Sequence, residues 1–218
     1  MIDLHTHSIH SDGDLIPSEL VRRAMIVGYR AMALTDHCDH SNMDLILPGI
    51  VKVCKKLTES YNLPILPGIE LTHVPPEYIH ELVQEARGKG AMIIIVHGET
   101  IAEPVMEGTN LAALQAPIDI LAHPGLIGAE EATMASRNGI CLEITTRKGH
   151  SLTNGHIATM ARKYNFPLVL NTDSHGSGDL THKEMAVKIA RGAGMTEEEI
   201  VAMFKNSENL IKKNIKGT

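Results

Sequence analysis

Seven short apolar runs, each parted from the next by a stretch of helical period, constrain the fold of this sequence most. They are MIDL, YRAMALT, LPILPGIEL, AMIIIV, IDILA, GICLEIT and FPLVLNT. In MIIIV the apolar residues are consecutive rather than alternate, which suits a strand buried on both faces, as in a parallel sheet covered by helices. The first helical stretch, PSELVRRAMIVG, opens at Pro17 and stops at Gly28, a common start and stop. In MDLILPGIVKVCKKLTESYN, Pro48 and Gly49 are expected to delay or kink the beginning. Six more follow: PEYIHELVQEARGKG, NLAALQA, EEATMASRNG, NGHIATMARKYN, HKEMAVKIARGAG and EEEIVAMFKNSENLIKK. Strand–helix alternation with short links predicts parallel strands with helices outside. No linker or low-complexity stretch interrupts the rhythm, so one domain over 1–218 is expected, folded as a single closed barrel. An open doubly wound sheet is the alternative.

Composition narrows the function. The chain has 218 residues, enough for one domain with a sizeable core, and a net charge of −6 with histidines neutral. It carries no long basic run, no Trp, four Tyr and two Phe. That disfavours a nucleic-acid scaffold or a base-stacking platform, so no stable nucleic-acid complex is expected. Cys38, Cys54 and Cys141 are odd in number and far apart, which indicates neither a disulfide framework nor a thiolate zinc site and fits a reducing compartment. The start is polar within a few residues, and AMIIIV is far too short to span a bilayer. A cytoplasmic protein with no membrane partner is the expectation.

The polar residues fall on the same rhythm. His5 and His7 follow the first run, with Asp12 in the loop beyond. Asp36 and His37 end the second run, Glu70 the third, His97 the fourth and His123 the fifth. Glu143 and then TTRKGH end the sixth; Asp173 and His175 end the seventh. The carboxyl ends of parallel barrel strands converge on one face, where active sites sit. One histidine after a strand is ordinarily a loop residue, but HTH places two on one side of an extended segment. Burying so many imidazoles and carboxylates in one cleft is costly unless cations neutralise them. There are too many donors for one tetrahedral ion, and a His/carboxylate mix without thiolate suits Zn, Mn or Fe.

Asp36 and Glu99 are expected to orient ligand imidazoles. Arg147 and Lys148 stand at the one strand end where adjacent basic residues replace the donors. Arg147 is expected to bind a substrate phosphate, with Lys148 or His150 assisting. His10, His40, His73, His80, His156 and His182 lack a repeated partner and are read as surface or supporting residues. Cys38, beside His37, points away from the site if that segment is extended.

LHTHSIHSDG, ALTDH, PGIE, VHGE, LAHPG and NTDSHG, in this order, resemble the PHP family, the polymerase and histidinol phosphatase domain. The match runs from Ile2 to about Gly176. The resemblance implies a distorted seven-stranded TIM-like βα barrel, two or three divalent ions, and phosphoester hydrolysis by a metal-activated hydroxide. It implies that His5, His7, Glu70 and Asp173 hold one ion, and that Asp12, His37 and His175 hold a second. Glu70, His97 and His123 would hold a third, with Glu70 bridging. Some relatives carry histidine where this chain has Asp12, a harder ligand. The compact length is more like the histidinol-phosphatase-like branch. A small phosphate monoester, histidinol phosphate or similar, is therefore the expected substrate. The alternatives are a phosphoesterase acting on cyclic, bisphosphate or short oligonucleotides, and a non-catalytic RNA-binding barrel of the kind found in ribonuclease P. The complete ligand set and the lack of basic character speak against the last.

Overall fold

The computed structural model describes residues 1–216; Gly217 and Thr218, which the expected domain includes, lie outside the described residues. The strands are β1 (Ile2–Asp3), β2 (Ala31–Leu34), β3 (His37–Cys38), β4 (Ile65–Leu71), β5 (Ile93–His97), β6 (Ile120–Ala122), β7 (Cys141–Thr145) and β8 (Leu168–Asn171). The helices are α1 (Pro17–Val27), α2 (Met43–Tyr61), α3 (Pro76–Gly88), α4 (Thr109–Gln115), α5 (Ala129–Asn138), α6 (Asn154–Tyr164), α7 (Lys183–Gly192) and α8 (Glu197–Lys216). Every strand pair is parallel, in the order β1-β2-β4-β5-β6-β7-β8. The two-residue β3 prolongs the path of β2 and pairs with the end of β4, His37 against Glu70.

The first and last strands meet. Thr6 and Ser174 form a parallel bridge, the His7 amide donates to the Ser174 carbonyl at 2.8 Å, and the Leu4 amide donates to Asn171 Oδ1 at 2.9 Å. Seven parallel strands thus make a nearly closed, TIM-like barrel with the helices outside, and this seam excludes the open doubly wound sheet.

Local signals act as the sequence predicts, with one difference. Pro17 opens α1, and Gly28 ends it in the left-handed conformation, φ 95°. Helix α2, however, begins at Met43 and runs through Pro48. At the sixth helical position Pro48 forfeits one intrahelical bond, the one its amide would make to the Asp44 carbonyl, and the burial of Met43, Ile46, Leu47 and Ile50 on either side of it holds the helix in the core.

Alternation sorts the strand side chains. Met32, Leu34, Ile94, Val96, Leu121, Leu142 and Leu170 face outward and pack with the helices. Their neighbours Ile2, Leu4, Ala31, Ala33, Leu66, Ile93, Ile95, Ile120, Ala122, Cys141 and Val169 fill the barrel, joined by Leu210 and Ile211 of α8. The three cysteines are free and buried. Among the described residues no helix is long and apolar enough to cross a membrane.

Candidate metal centre

The inward series does not stop at the apolar layer. Two residues beyond Leu66 and Gly68 comes Glu70; beyond Ile93 and Ile95 comes His97; beyond Cys141 comes Glu143; beyond Val169 comes Asn171. His123 and Asp173 sit one and two residues past their strands with left-handed backbones, φ 27° and 52°. Such conformations are uncommon for non-glycine residues and cluster at functional sites. Glycine allows the loops after β5 and β6 to touch: a side chain on Gly98 would strike the Ala122 carbonyl and Pro124. That approach brings the rings of His97 and His123 to 4.4 Å.

At the centre lie four buried residues. His5 Nε2 is 3.2 Å from Glu70 Oε1, and His7 Nε2 is 3.1 Å from Asp173 Oδ1. On the solvent side, Asp12 Oδ1 lies 3.4 Å from His37 Nε2 and 3.2 Å from His175 Nε2. On the other flank, His123 Nε2 is 3.7 Å from Asp173 Oδ2 and 3.9 Å from Glu70 Oε1. Glu70 also reaches His37 Nδ1 at 2.7 Å, so its carboxylate lies between all three groups.

Several imidazoles are turned inward by their rear nitrogens. His5 Nδ1 donates to Glu143 Oε2 at 2.9 Å. His97 Nδ1 donates to the Gly98 carbonyl at 3.1 Å, and His175 Nδ1 to the Asp173 carbonyl at 3.0 Å. A carboxylate or carbonyl only accepts, so each Nδ1 carries the proton and each Nε2 offers a lone pair to the cluster. Meanwhile His5 Nε2, both nitrogens of His7 and His123, Glu70 Oε1, Glu143 Oε1 and Asp173 Oδ1 are buried without a hydrogen-bond partner. Leaving so many lone pairs unmatched is costly in a protein interior, and divalent cations match them. These donors therefore fit two or three such ions.

Electrostatics follows from this crowding. Burial pushes the Asp173 carboxyl up to about 7 against the pull of His5, with Glu70 and Glu143 adding to the rise. Burial opposes ionisation of Glu70 as well, but His5 and His37 outweigh it and hold that carboxyl well below its usual range. His7 is held well below the ordinary imidazole value by burial and then by neighbouring His37.

Other expected residues take different places. Asp36 is buried, but its Oδ1 accepts from the Ser8 amide at 2.7 Å and from Ser11; it pins the His5–Asp12 loop instead of orienting an imidazole. Glu99 Oε1 accepts the Asn110 amide at 2.8 Å, meeting an unpaired donor at the start of α4. The residue that does orient a central imidazole is Glu143, whose Oε2, the oxygen that takes the His5 proton, also accepts from Asn171 Nδ2 at 2.9 Å. Arg147 lines the cavity, with Nε 3.6 Å from Asp173 Oδ2 and Nη1 3.4 Å from Asp179. Lys148 is exposed and outside that lining, whereas His150 is buried beside His123. Sequence reasoning missed Glu103, in the loop after β5, and undervalued His73. Glu103 Oε2 lies 3.3 Å from His73 Nε2 and 3.2 Å from His97 Nε2. Both line the same cavity, of about 280 Å³. His40, His80 and His156 make local contacts away from the cluster, with Tyr78, Gln84 and the Ile127 carbonyl.

Fold and cluster together define a class: a TIM-like barrel with a histidine–carboxylate centre at the carboxyl ends of its strands. The chain belongs to the PHP domain family, whose model matches residues 3–164. An uncharacterized protein of Methanocaldococcus jannaschii is 44% identical over 200 residues, covering 91% of this chain and 92% of the relative. Ribonuclease P protein component 3 of Methanosarcina mazei is 30% identical, covering 99% and 90%. A probable phosphatase of Thermoanaerobacter sp. is 27% identical, covering 92% and 89%. Among solved structures, archaeal ribonuclease P with mature tRNA contains a chain that matches with a TM-score of 0.74 at 18% identity, covering 98% and 91%. Histidinol phosphate phosphatase of Lactococcus lactis, complexed with zinc, L-histidinol and phosphate, matches with a TM-score of 0.63 at 16% identity, covering 89% and 94%.

These likenesses correct one expectation. The absence of a stable nucleic-acid complex was inferred from net charge and scarce aromatics, yet relatives matching nearly the whole chain are ribonuclease P components. The physical reason is that −6 is a sum over the chain. Local fields decide binding, and Lys52, Lys55 and Lys56 on α2 or Lys212 and Lys213 on α8 are runs that the sum conceals.

Proposed function

We propose that this protein is a metal-dependent phosphoesterase that hydrolyses small phosphate monoesters. The observation that carries the reading is the buried set of unpartnered donors, which has no structural use without cations. His5, His7, Glu70 and Asp173 would hold one ion, and Asp12, His37 and His175 a second. His97 and His123 would serve a third, with Glu70 shared. Bound ions supply Lewis acidity toward phosphoryl oxygens and a lowered pKa for water.

The chain's own groups do the rest. The proton on His5 Nδ1, held by Glu143, keeps Nε2 free for ligation. Arg147 places a guanidinium at the cavity wall, where its fork matches two phosphoryl oxygens; it would exchange its contacts with Asp173 and Asp179 for the substrate. The cavity of about 280 Å³ suits a phosphate head with a compact leaving group. Hydrolysis forms one P–O bond to water's oxygen and breaks the one to the alcohol.

A second reading is favoured by the ribonuclease P relatives: the barrel assembles with RNA, with or without turnover. One set of measurements separates the two. Metal-replete protein is assayed for phosphate release from histidinol phosphate, polyol phosphates, mono-, cyclic and bisphosphate nucleotides and short RNA, and for RNA binding across a salt series. Release from small monoesters supports the first reading. No release from any ester, with tight salt-dependent RNA binding, replaces it with the second.

A further inference from the structure

His150, expected to assist Arg147 at a substrate phosphate, lines the same cavity as Arg147 and stands among other histidines. It starts a single 3₁₀ turn, His150–Thr153, directly after the loop that follows β7, and is 6% exposed. One nitrogen of His150 lies within 4.8 Å of one nitrogen each of His97 and His123. The His123 and His150 rings stack at 4.1 Å, and His97 stands edge-on to both. His150 Nδ1 is 2.8 Å from Thr100 Oγ1, and the Gly98 carbonyl takes the Nδ1 proton of His97. Two of the three rings thus present Nε2 forward, and both nitrogens of His123 are buried without a partner. Two carboxylates of the cavity face this trio: Glu103, 3.2 Å from His97 Nε2 and 3.4 Å from His150 Nε2, and Asp173, whose Oδ2 is 3.7 Å from His123 Nε2 and 4.0 Å from His150 Nε2. Glu70 is 3.9 Å from His123 and is already engaged with His5 and His37.

We propose that His97, His123 and His150 hold one divalent ion as a trihistidine set, with Glu103 as a carboxylate on its cavity side and Thr100 orienting His150. Three histidines with one further position are an established arrangement for Zn²⁺. A carboxylate that is 41% exposed is placed to yield that position to an incoming phosphoryl oxygen. The inference rests on the metal-dependent reading above and refines it: His150 and Glu103, from the loops after β7 and β5, join His97 and His123 around the third ion.

The test is elemental analysis and zinc competition titration of the full-length protein and of His150→Gln, Glu103→Gln and Thr100→Val, with circular dichroism to check folding. Removing an outer hydrogen-bond partner of a ligand weakens metal binding by about 10–100-fold, the loss expected for Thr100→Val at unchanged stoichiometry. His150→Gln should exceed that and release one ion while the others stay. Glu103→Gln should weaken the same ion alone. Should His150→Gln fail to fold, Thr100→Val and Glu103→Gln still decide. Wild-type stoichiometry and affinity in His150→Gln, or in both other variants, would overturn the trihistidine site. A wild type that holds no divalent metal by elemental analysis and takes up neither zinc, manganese nor iron(II) overturns the metal-dependent reading itself and this inference with it.

Discussion

The barrel interior has two storeys made by the same alternation, and they are opposites. The lower storey is Ile, Leu, Ala, Cys and Val, closed by Leu210 and Ile211 of α8. The upper storey, two residues further along the same strands, holds Glu70, His97, Glu143 and Asn171, with His5, His7, His123 and Asp173 folded in from the adjoining loops. Burial stabilises the first by roughly 25 cal/mol for each Å² of apolar surface. In the second, each buried imidazole or carboxylate without a partner costs free energy. One storey holds the fold together, and the other carries a cost that bound cations would offset.

Metal removal should break the upper storey alone and produce the largest effect. Chelation is expected to take phosphatase activity below detection while the circular dichroism spectrum persists. Ions present at about a hundredfold over Kd stabilise by about 2.7 kcal/mol, so the chelated protein should also melt earlier. Activity that survives in verified metal-free protein ends this account of the upper storey. Glu70→Gln comes next. Its carboxylate touches His5 and His37 and approaches His123, so the amide should lose at least one ion and about a hundredfold or more in kcat/KM, near 2.7 kcal/mol. Equal metal content and rate in variant and wild type would remove Glu70 from the centre.

The lower storey should fail in the opposite way. Ile95 is fully buried, and Ile95→Ala should cost about 2–5 kcal/mol of stability through lost burial and a cavity, with full metal content and near-normal kcat/KM below the melting range. Depleted metal in a folded Ile95→Ala protein would show that the storeys are not separate.

How much of this was legible depends on where a residue's partner lies. Strand-end donors could be read because the barrel rhythm alone brings them together, and period-two alternation carries Glu70 and His97 inward without further information. Glu143 was visible as a strand-end acid, but its place behind His5 depends on a contact 138 residues apart in sequence. Glu103 and His73 belong to loops, whose course no periodicity specifies. Asp36 and Glu99 sit beside donors in sequence, yet backbone amides of other segments, those of Ser8 and Ser11 and of Asn110, claim their carboxylates, contacts 28, 25 and 11 residues away that a strand pattern does not register.

The smallest effects concern the adjacent basic residues after β7, Arg147 and Lys148, which the sequence placed together and the structure separates. Arg147 reaches Asp173 and Asp179 along the cavity wall, while Lys148 is exposed and outside the cavity lining. A charge-assisted contact to phosphate is worth about 1.5–3 kcal/mol, so Arg147→Ala should lower kcat/KM by about tenfold or more at unchanged metal content. Lys148→Ala should stay within about 0.5 kcal/mol of wild type, as surface substitutions do. The clamp needs the two variants to differ: equal losses would mean a diffuse field from the loop rather than a directed contact. Unchanged kinetics in both would leave Arg147 with only its contacts to Asp173 and Asp179.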